Sequence, residues 1–488
     1  MKTVRLKNYK CFEDTGEISL APINFLVGAN SSGKSSLLEF FPLLQQSMKA
    51  IRDGAFLWVG NNVDANDFLT VVKKGKDEIV VEMCIEKIPL SSGVQNTKKN
   101  YLEDVVLSIK IISNVYGDNI SEIDIHFNEQ DIKIKLYETE SDEIIVNGES
   151  MKDDKEHVAH GFTNSLLPKI FFAAPSMEEV SLKRNRELFL WVKDKFKDDD
   201  HIISPFFLFR LRNLLDNRRF RTLLEKHKKE DAVITDIEHI YNIALLRNIN
   251  EIIDLINFYM LDLADKMVYI QPLRATAERY YRKRNFSVNK ITPSGDNVAM
   301  FFLRLKKEGR LVEFNDWLQN SDMGFKVGLN EIGGMVEIKI VEDGKDEANI
   351  VDVGFGYSQI LPILATIWQE VFEKGITNKI SYCKTSIILI EQPELHLHPR
   401  FQKKIAELLV KCVNQAQKTG FDIRFIIETH SQDIINSVGL SVAYKELDPV
   451  LVNIYIFNAQ NENMKNYIEK ANFTREGFLD NWPIGFFD

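Results

Sequence analysis

Cysteine is scarce in this 488-residue chain, which contains four: Cys11, Cys84, Cys383 and Cys412. They lie far apart and form no CxxC pair, which argues against a disulfide framework and a zinc site and favours a reducing cytoplasm. No run of about 18 apolar residues occurs, so no membrane span is predicted. The N-terminus lacks the apolar core of a signal peptide. The net charge of −10 argues against a polycation made as a whole for nucleic acid, although a local basic patch is compatible with it.

What the chain does contain is several distinct apolar patterns, and its length predicts two or three domains. Short alternating runs within 77–147 predict an antiparallel sheet, whereas the continuous apolar runs 387–390 and 425–427 predict strands covered on both faces. Residues 180–268 carry apolar side chains at three- and four-residue spacing, which is typical of helices. The sequence therefore predicts an α/β fold in three parts: an N-terminal half with an antiparallel β region at 1–178, a helical insertion at 179–268 and a C-terminal half at 269–488.

The segment Gly28-Ala-Asn-Ser-Ser-Gly33-Lys34-Ser35 matches the phosphate-loop pattern G-x-x-x-x-G-K-[ST]. An apolar strand at 23–27 precedes it and a helix is predicted from Lys34, which is the context that the motif requires. Backbone N–H groups of such a loop surround phosphate oxygens, while the lysine reaches the β- and γ-phosphates and Ser35 binds Mg²⁺. We therefore predict that ATP and Mg²⁺ bind here. The predicted nucleotide contacts are Gly28, Ala29, Asn30, Ser31, Ser32, Gly33, Lys34, Ser35 and Ser36.

Three later segments extend this site. A Gly/Ser loop at 354–359 resembles the signature loop of ABC-type ATPases, although a simple helix cap is the alternative. The strand at 387–390 ends in an acidic turn, and an acid at such a position holds Mg²⁺ directly or through water. The strand at 425–427 is followed by a histidine that resembles the sensor of the γ-phosphate. The candidates are Gly354, Gly356, Ser358 and Gln359 for nucleotide binding, Glu391 for magnesium, and Glu391, Gln392, Glu394 and His430 for catalysis.

Together these segments resemble the SMC/RecF/OLD branch of ABC-type ATPases. Residues 4–12 are similar to the opening strand of that branch, and the phrase Glu-Leu-His-Leu-His-Pro at 394–399 is similar to its helix entry. With the ending Trp-Pro-Ile-Gly-Phe-Phe at 482–487, the chain resembles a stand-alone bacterial subgroup of AAA ATPases that has relatives in OLD-like and PARIS-type phage-defence systems. The resemblance implies an ABC-type P-loop ATPase head, ATP and Mg²⁺ as cofactors, and a homodimer or higher oligomer in which Ser358 closes over the γ-phosphate of a neighbouring copy.

One residue departs from the wider family. Most ABC-type ATPases have a glutamate after the magnesium-binding acid, where it positions the attacking water, and this chain has Gln392. An amide cannot accept a proton as a carboxylate does, so either Glu394 substitutes or hydrolysis is slow and ATP mainly holds a conformational state. His396 and His398 invite a metal interpretation, but the family resemblance of this phrase favours a structural role.

Two basic clusters lie outside these motifs. Each forms either a nucleic-acid surface, through phosphate contacts and stacking, or a solvated face or docking patch for an acidic protein. DNA is therefore a candidate partner. The first cluster comprises Arg210, Arg212, Arg218, Arg219, Arg221, Lys226, Lys228 and Lys229, and the second, at 274–286, interleaves cations with Tyr280, Tyr281 and Phe286.

The remaining question is which activity the nucleotide site serves. Too few residues follow His430 for the Toprim nuclease domain of OLD proteins, and no protease set is recognisable. Nuclease or toxin activity is therefore expected from a separately encoded effector. The leading hypothesis is an oligomeric ATP-dependent sensor that controls such an effector in anti-phage defence. The alternatives are a RecF-like or SMC-like ATPase that binds DNA in repair, and a nucleotide-dependent scaffold with almost no turnover.

Overall fold

The computed structural model describes residues 1–50, 52, 54–90, 101–114, 117–151, 157–162, 165–173, 222, 234–283, 288, 290–373, 382–458 and 468–481. The first basic cluster and the ending at 482–487 lie outside the described residues. None of the helices in these ranges is both long enough and apolar enough to cross a membrane.

The strands, in chain order, are β1 (Thr3–Tyr9), β2 (Phe12–Asp14), β3 (Ile18–Ser19), β4 (Ile23–Gly28), β5 (Glu78–Pro89), β6 (Tyr101–Asn114), β7 (Gly117–Phe127), β8 (Gln130–Lys135), β9 (Glu143–Val146), β10 (Glu149–Ser150), β11 (His157–Gly161), β12 (Lys169–Ala173), β13 (Met267–Ile270), β14 (Tyr281–Arg282), β15 (Phe325–Ile332), β16 (Met335–Glu342), β17 (Ala348–Asn349), β18 (Thr385–Glu391), β19 (Asp422–Glu428), β20 (Val452–Phe457) and β21 (Ile468–Ala471). The helices are α1 (Lys34–Lys49), α2 (Phe68–Val71), α3 (Ile234–Arg247), α4 (Ile249–Asp265), α5 (Val298–Lys307), α6 (Leu311–Asn320), α7 (Phe355–Trp368), α8 (Pro399–Thr419) and α9 (Gln432–Ala443).

The larger sheet is antiparallel and follows the chain almost strand by strand. Its nine strands lie in the order β10-β9-β8-β7-β6-β5-β1-β2, with β3 paired to β1. Along β5, buried and partly exposed residues alternate, as expected for a sheet with one face on a core. The antiparallel sheet predicted at 77–147 is confirmed. Two smaller antiparallel sheets pair β11 with β12 and place β16 between β14 and β15.

The second large sheet has six strands in the order β13-β18-β19-β4-β20-β21. Its first five strands are parallel, and β21 runs antiparallel to β20. Every residue of β4, β18 and β20 is buried, which is expected where both faces of a sheet are covered. The predicted parallel strands are confirmed. Because parallel strands end at one edge, the loops that follow β4, β18 and β19 meet there.

Two hydrophobic cores lie on opposite faces of the parallel sheet. Ile387 and Leu389 point into a core shared with α1, α4 and the antiparallel sheet, whereas Ile388 and Ile390 point into a core shared with α5 to α9. Both α3 and α4 come from the predicted helical insertion, and both belong to the first core. The fold is therefore α/β, with an antiparallel sheet and helices around the parallel sheet; the predicted boundaries at 178 and 268 stay predictions.

The C-terminal end of α7 is held by a cluster of charges. The helix continues as a π-helical turn at Gln369–Glu373. Glu373 accepts hydrogen bonds from Arg304 Nη1 and Nη2, both at 2.8 Å, and from Arg310 Nη1 at 2.6 Å. Burial acts to raise the pKa of Glu373, but the hydrogen bond from Arg304 and the charges of both arginines overcome it, so the pKa is lowered. Since Arg304 lies on α5 and Arg310 precedes α6, Glu373 anchors α7 to both helices.

Candidate nucleotide-binding site

The phosphate loop, residues 28–36, joins β4 to α1, and its backbone requires glycine at two positions. Gly28 has φ of 150°, and a Cβ there would lie 2.4 Å from the carbonyl oxygen of Phe457. Gly33 has φ of 100°, and a Cβ there would lie 2.6 Å from Cys11 Sγ. Both contacts are shorter than real Cβ atoms show, so any other residue would displace the loop from the β1–β2 turn and from β20. The predicted strand, loop and helix are confirmed.

Lys34 folds back over this loop. Its Nζ donates hydrogen bonds to the carbonyl oxygens of Gly28, at 3.1 Å, and Ala29, at 2.7 Å. The side chain is buried, and burial lowers the pKa of the ammonium group, opposed by the charge of Glu428. The tip residues Ala29, Asn30 and Ser31 are exposed. Among the described residues the Lys34 ammonium group makes its hydrogen bonds to carbonyl oxygens, and at the mouth of a loop it is placed to exchange them for phosphate oxygens.

Two buried carboxylates lie side by side at the end of the parallel sheet. Glu391 ends β18 and Glu428 ends β19, and the two residues are register partners in neighbouring parallel strands. Only 6% of Glu391 and 4% of Glu428 is exposed. The Tyr269 hydroxyl donates a hydrogen bond to Glu391 Oε1 at 2.8 Å. Burial raises the pKa of Glu391 to about 7, and the charge of Glu428 acts in the same direction.

Glu428 also contacts the phosphate loop. Burial raises the pKa of Glu428, opposed by a hydrogen bond with Ser35 and by the charge of Lys34. Glu428 Oε2 is buried and has no hydrogen-bond partner among the residues that the structure describes. Glu428 thus has an unused oxygen, is the register partner of Glu391 and interacts with Ser35, and the last two residues are the predicted magnesium ligands. Oxygen donors of this kind suit Mg²⁺, which prefers carboxylate and hydroxyl ligands.

Gln392 is held through its main chain. It has φ of 42°, in the left-handed region, and its N–H donates to the carbonyl oxygen of Glu428 at 2.8 Å. Its own carbonyl oxygen accepts a hydrogen bond from Arg274 Nη2 at 3.0 Å. Both contacts use backbone atoms, so the side-chain amide is not required for either. The loop between β18 and α8 is thus fixed independently of which side chain occupies position 392.

Glu394 has both carboxylate oxygens engaged. Oε1 accepts from the backbone N–H of His430 at 2.7 Å, and Oε2 accepts from Thr429 Oγ1 at 2.8 Å. These bonds connect the acidic turn after β18 to the end of β19. A carboxylate with two such partners is well suited to orient the histidine segment, and each of its oxygens keeps a second lone pair.

His430 lies at the same edge of the sheet as the phosphate loop. Its pKa is lowered by burial and by the positive charge of Lys34, and the negative charge of Glu394 opposes both. Its Nε2 is buried and has no partner among the described residues. A neutral imidazole with one unused nitrogen near Lys34 fits the predicted sensor of the γ-phosphate.

The signature loop, residues 354–359, forms the start of α7, and two of its predicted nucleotide contacts are buried. Gly354 has φ of 106°, which favours glycine, and Gly354 and Phe355 are exposed. Ser358 is only 5% exposed, and its Oγ donates to the carbonyl oxygen of Phe355 at 2.6 Å. Gln359 is buried as well. The loop is therefore a helix start, as the alternative stated, and the contact of Ser358 with nucleotide of another copy stays a prediction.

Arg274 joins α7 to the turn after β18, a role that its place in a basic cluster does not predict. The arginine is buried; its Nε donates to Gln359 Oε1 at 3.3 Å and its Nη2 to the Gln392 carbonyl oxygen at 3.0 Å. Burial lowers the pKa of Arg274 to about 10, opposed by the charge of Glu394. The position of Arg274, four residues after the end of β13, was the available signal.

The remaining candidates have structural partners. His398 caps α8 by accepting from the Arg400 N–H at 3.2 Å, and the His396 ring packs edge-on against Phe355 with ring centroids 4.9 Å apart. No cluster of three or more metal-ligating side chains occurs in the described ranges. In the second basic cluster, Arg279 pairs with Asp352 through two hydrogen bonds of 3.0 and 2.5 Å, and Lys283 pairs with Glu331 at 2.9 Å. These cations are already neutralised within the chain.

Comparison with known proteins identifies a family model. The model described as "AAA ATPase domain" matches residues 1–293 and 304–435. No curated protein matches the chain. Among solved structures, an SMC head bound to the C-winged helix domain of ScpA is similar at 11% identity, with 97% of each chain covered and a TM-score of 0.35. The SMC head domain of Thermotoga maritima shows 9% identity, coverage of 97% of this chain and 98% of that chain, and a TM-score of 0.33. RecF from the RecFOR pathway shows 13% identity, 96% and 97% coverage, and a TM-score of 0.30.

Proposed function

Because this chain belongs to the family of AAA ATPase domains, we propose that it is an ATP-dependent switch that hydrolyses ATP slowly. In this proposal it assembles with further copies of itself and controls a separate effector in anti-phage defence. The family supports ATP binding and ATPase activity in general. The slow rate, the assembly and the effector are the proposal's own additions.

The nucleotide part of the proposal rests on the residues gathered at the edge of the parallel sheet. The phosphate loop and Lys34 would hold the phosphates, and Ser35 with Glu391 would hold Mg²⁺. When bound, Mg²⁺ would neutralise charge that develops on the β- and γ-phosphates. The sharing of this edge by Lys34, His430 and the two buried carboxylates supports the assignment.

The observation that carries the slow rate is the state of the two residues that would act on water. Gln392 has an amide that cannot take a proton. The Glu394 carboxylate already accepts from His430 N–H and Thr429 Oγ1. Gln392 therefore lacks a proton-accepting group and Glu394 is engaged in holding the histidine segment, so we expect ATP to persist long enough to maintain a signalling state.

The proposed switch depends on a connection between the acidic turn after β18, residues 391–394, and α7. Arg274 contacts the Gln392 carbonyl and the Gln359 side chain together. A shift of the acidic turn on nucleotide binding would therefore pull on the start of α7, where Phe355 is 45% exposed. Exposed apolar residues at a helix start suit contact with a second copy. Defence as the setting rests on the sequence resemblance at 391–399 and on no structural contact.

The alternative, a DNA-binding ATPase in repair, has less support from the described residues. Arg279 and Lys283 are paired with Asp352 and Glu331, whose negative charges oppose the approach of phosphate to these cations. Phosphate release measured with and without DNA decides between the two. Stimulation by DNA would favour the repair ATPase, and no response would favour the switch.

Lys34→Ala tests nucleotide binding. The wild type should gain roughly 2.7 kcal/mol of stability at ATP-Mg²⁺ concentrations 100-fold above Kd, seen as a rise in Tm. Lys34→Ala should lose most of this rise because it removes the charge that faces the phosphates. The control is Lys49→Ala on the same helix, where Lys49 pairs with Asp265 at 2.8 Å outside the site. An unchanged ATP response in Lys34→Ala would place the nucleotide elsewhere.

Assembly and effector control need separate measurements. Light scattering with a non-hydrolysable ATP analogue should show a larger mass for the wild type than for Lys34→Ala. A pull-down of tagged wild type from its native host, compared with Lys34→Ala, should recover an effector in an ATP-dependent manner. A protein that stays monomeric with the analogue would contradict the proposed switch.

A further inference from the structure

We propose that Glu428 is an additional carboxylate ligand of the magnesium site, acting with Ser35 and Glu391. This inference rests on the proposed ATP-Mg²⁺ binding. It assigns a role to a residue that belongs to none of the sequence motifs, because the motif patterns cover the ends of β4 and β18 and the histidine after β19.

Position is the first reason. Glu391 and Glu428 are register partners in adjacent parallel strands, so their Cα atoms are about 4.8 Å apart and their side chains leave the sheet on the same face. Ser35, the hydroxyl residue of the phosphate loop, lies close enough to act on the pKa of Glu428, which it lowers. The carboxylate of Glu428 is therefore a neighbour of both predicted metal ligands.

The second reason is the unused hydrogen-bonding capacity of Glu428. The residue is 4% exposed, and Oε2 is buried without a partner in the described part of the chain. A buried carboxylate oxygen without a partner lowers the stability of the fold, because its hydration is lost and nothing replaces it. The nearby ammonium group of Lys34 donates to the carbonyl oxygens of Gly28 and Ala29 and makes no hydrogen bond to this oxygen. A divalent cation between Ser35, Glu391 and Glu428 would satisfy the oxygen and balance the charge of both carboxylates.

Two other roles would explain the same contacts. Glu428 would be a purely structural clamp if it only orients Ser35 by hydrogen bonding. It would be a general base if it only takes a proton from water. Glu428→Gln separates these roles, because the amide keeps the size and can still accept a hydrogen bond from Ser35, but it carries no charge.

The test measures Mn²⁺ binding to the full chain in the presence of a non-hydrolysable ATP analogue. Binding is monitored as the loss of the electron paramagnetic resonance signal of free Mn²⁺. Glu428→Gln should weaken Mn²⁺ binding by at least about tenfold, as removal of groups that support metal ligands commonly does. The matched control is Glu39→Gln, which removes the same charge from a nearby residue of α1 that pairs with Lys10. This control should change Mn²⁺ affinity by less than about threefold on the same scale.

A second variant guards against misfolding. Glu428→Asp keeps the charge and should bind Mn²⁺ more tightly than Glu428→Gln, which a folding defect would not produce. Wild-type Mn²⁺ affinity in Glu428→Gln would overturn the proposal, and loss of turnover at that unchanged affinity would assign Glu428 as the base instead. If the wild type takes up no Mn²⁺ with nucleotide, the proposed function itself fails, and this result comes from the wild type alone.

Discussion

Replacing the amide of Gln392 by a carboxylate is the sharpest test of the slow-hydrolysis proposal. Gln392→Glu changes neither the size of the side chain nor any backbone contact, because the N–H bond to Glu428 O and the bond from Arg274 involve main-chain atoms. Gln392 itself adopts the left-handed φ of 42°, so glutamate at this position meets no new backbone restriction. The fold should therefore survive, and a change in rate should report on chemistry.

The expected magnitude follows from the role of a general base, which is typically worth about 10²–10⁴-fold in rate. If Gln392 occupies the water-positioning place, Gln392→Glu should raise kcat by about 10²-fold, which corresponds to roughly 3 kcal/mol of barrier. The new charge joins those of Glu391, Glu394 and Glu428. Repulsion among these carboxylates should make the variant more dependent on Mg²⁺ than the wild type.

The assay is steady-state phosphate release across a Mg²⁺ titration for Gln392→Glu, Glu394→Gln and Glu391→Gln. If Glu394 is the base, Glu394→Gln should suppress turnover while Gln392→Glu changes it little. Glu394→Gln should also lower the free energy of unfolding by about 1–3 kcal/mol. Its NH₂ group takes the place of one carboxylate oxygen and cannot accept the hydrogen bond from His430 N–H or Thr429 Oγ1. Glu391→Gln should instead shift the Mg²⁺ dependence. Fast wild-type turnover that survives Glu394→Gln would refute both assignments.

Three further predictions concern α7. Arg274→Lys cannot reproduce both hydrogen bonds of the guanidinium group, so ATP-dependent assembly should weaken by about 5-fold or more while ATP affinity stays close to wild type. Arg279→Lys is the exposed control. Equal effects of the two variants would contradict the proposed connection of Arg274 to α7. Phe355→Arg should block analogue-dependent assembly in light scattering and leave the ATP-induced rise in Tm intact. Glu373→Gln should lower stability by about 1–3 kcal/mol at pH 7 in denaturant titrations. Because the folded pKa of Glu373 lies below its ordinary value of 4.5, this difference should shrink as the pH falls through 4.5 and below, and a difference that grew towards acid would be the wrong sign.

The sequence predicted those parts of the site that lie within one continuous segment. The phosphate loop is such a segment, since Gly28, Gly33 and Lys34 are fixed by a strand, a turn and a helix that follow one another. The all-apolar runs of β18 and β19 likewise predicted strands covered on both faces. These features depend on local pattern and backbone geometry, which a single sequence contains.

The relations between segments were not predictable in the same way. Glu428 becomes a neighbour of Glu391 only because β19 lies between β18 and β4, and strand order is a tertiary property. Arg274 looked like one cation of a surface cluster, yet its burial follows from the packing of the chain after β13 against α7. The burial of Ser358 depends on how α7 sits on the sheet, which no motif specifies.

The order of strands in the parallel sheet also bears on how the protein is synthesised. The central strand β4 ends at Gly28, but its two neighbours, β19 and β20, end at Glu428 and Phe457. At a translation rate of about 5–20 residues per second, β4 waits roughly 20–90 s for its last partner. During this interval a strand that is apolar except for Asn24 has no native strand partners, and unpaired strand edges promote aggregation. The elements synthesised next, α1 and the antiparallel sheet, are available to shield β4, whereas the site residues at the ends of β18 and β19 are made only later.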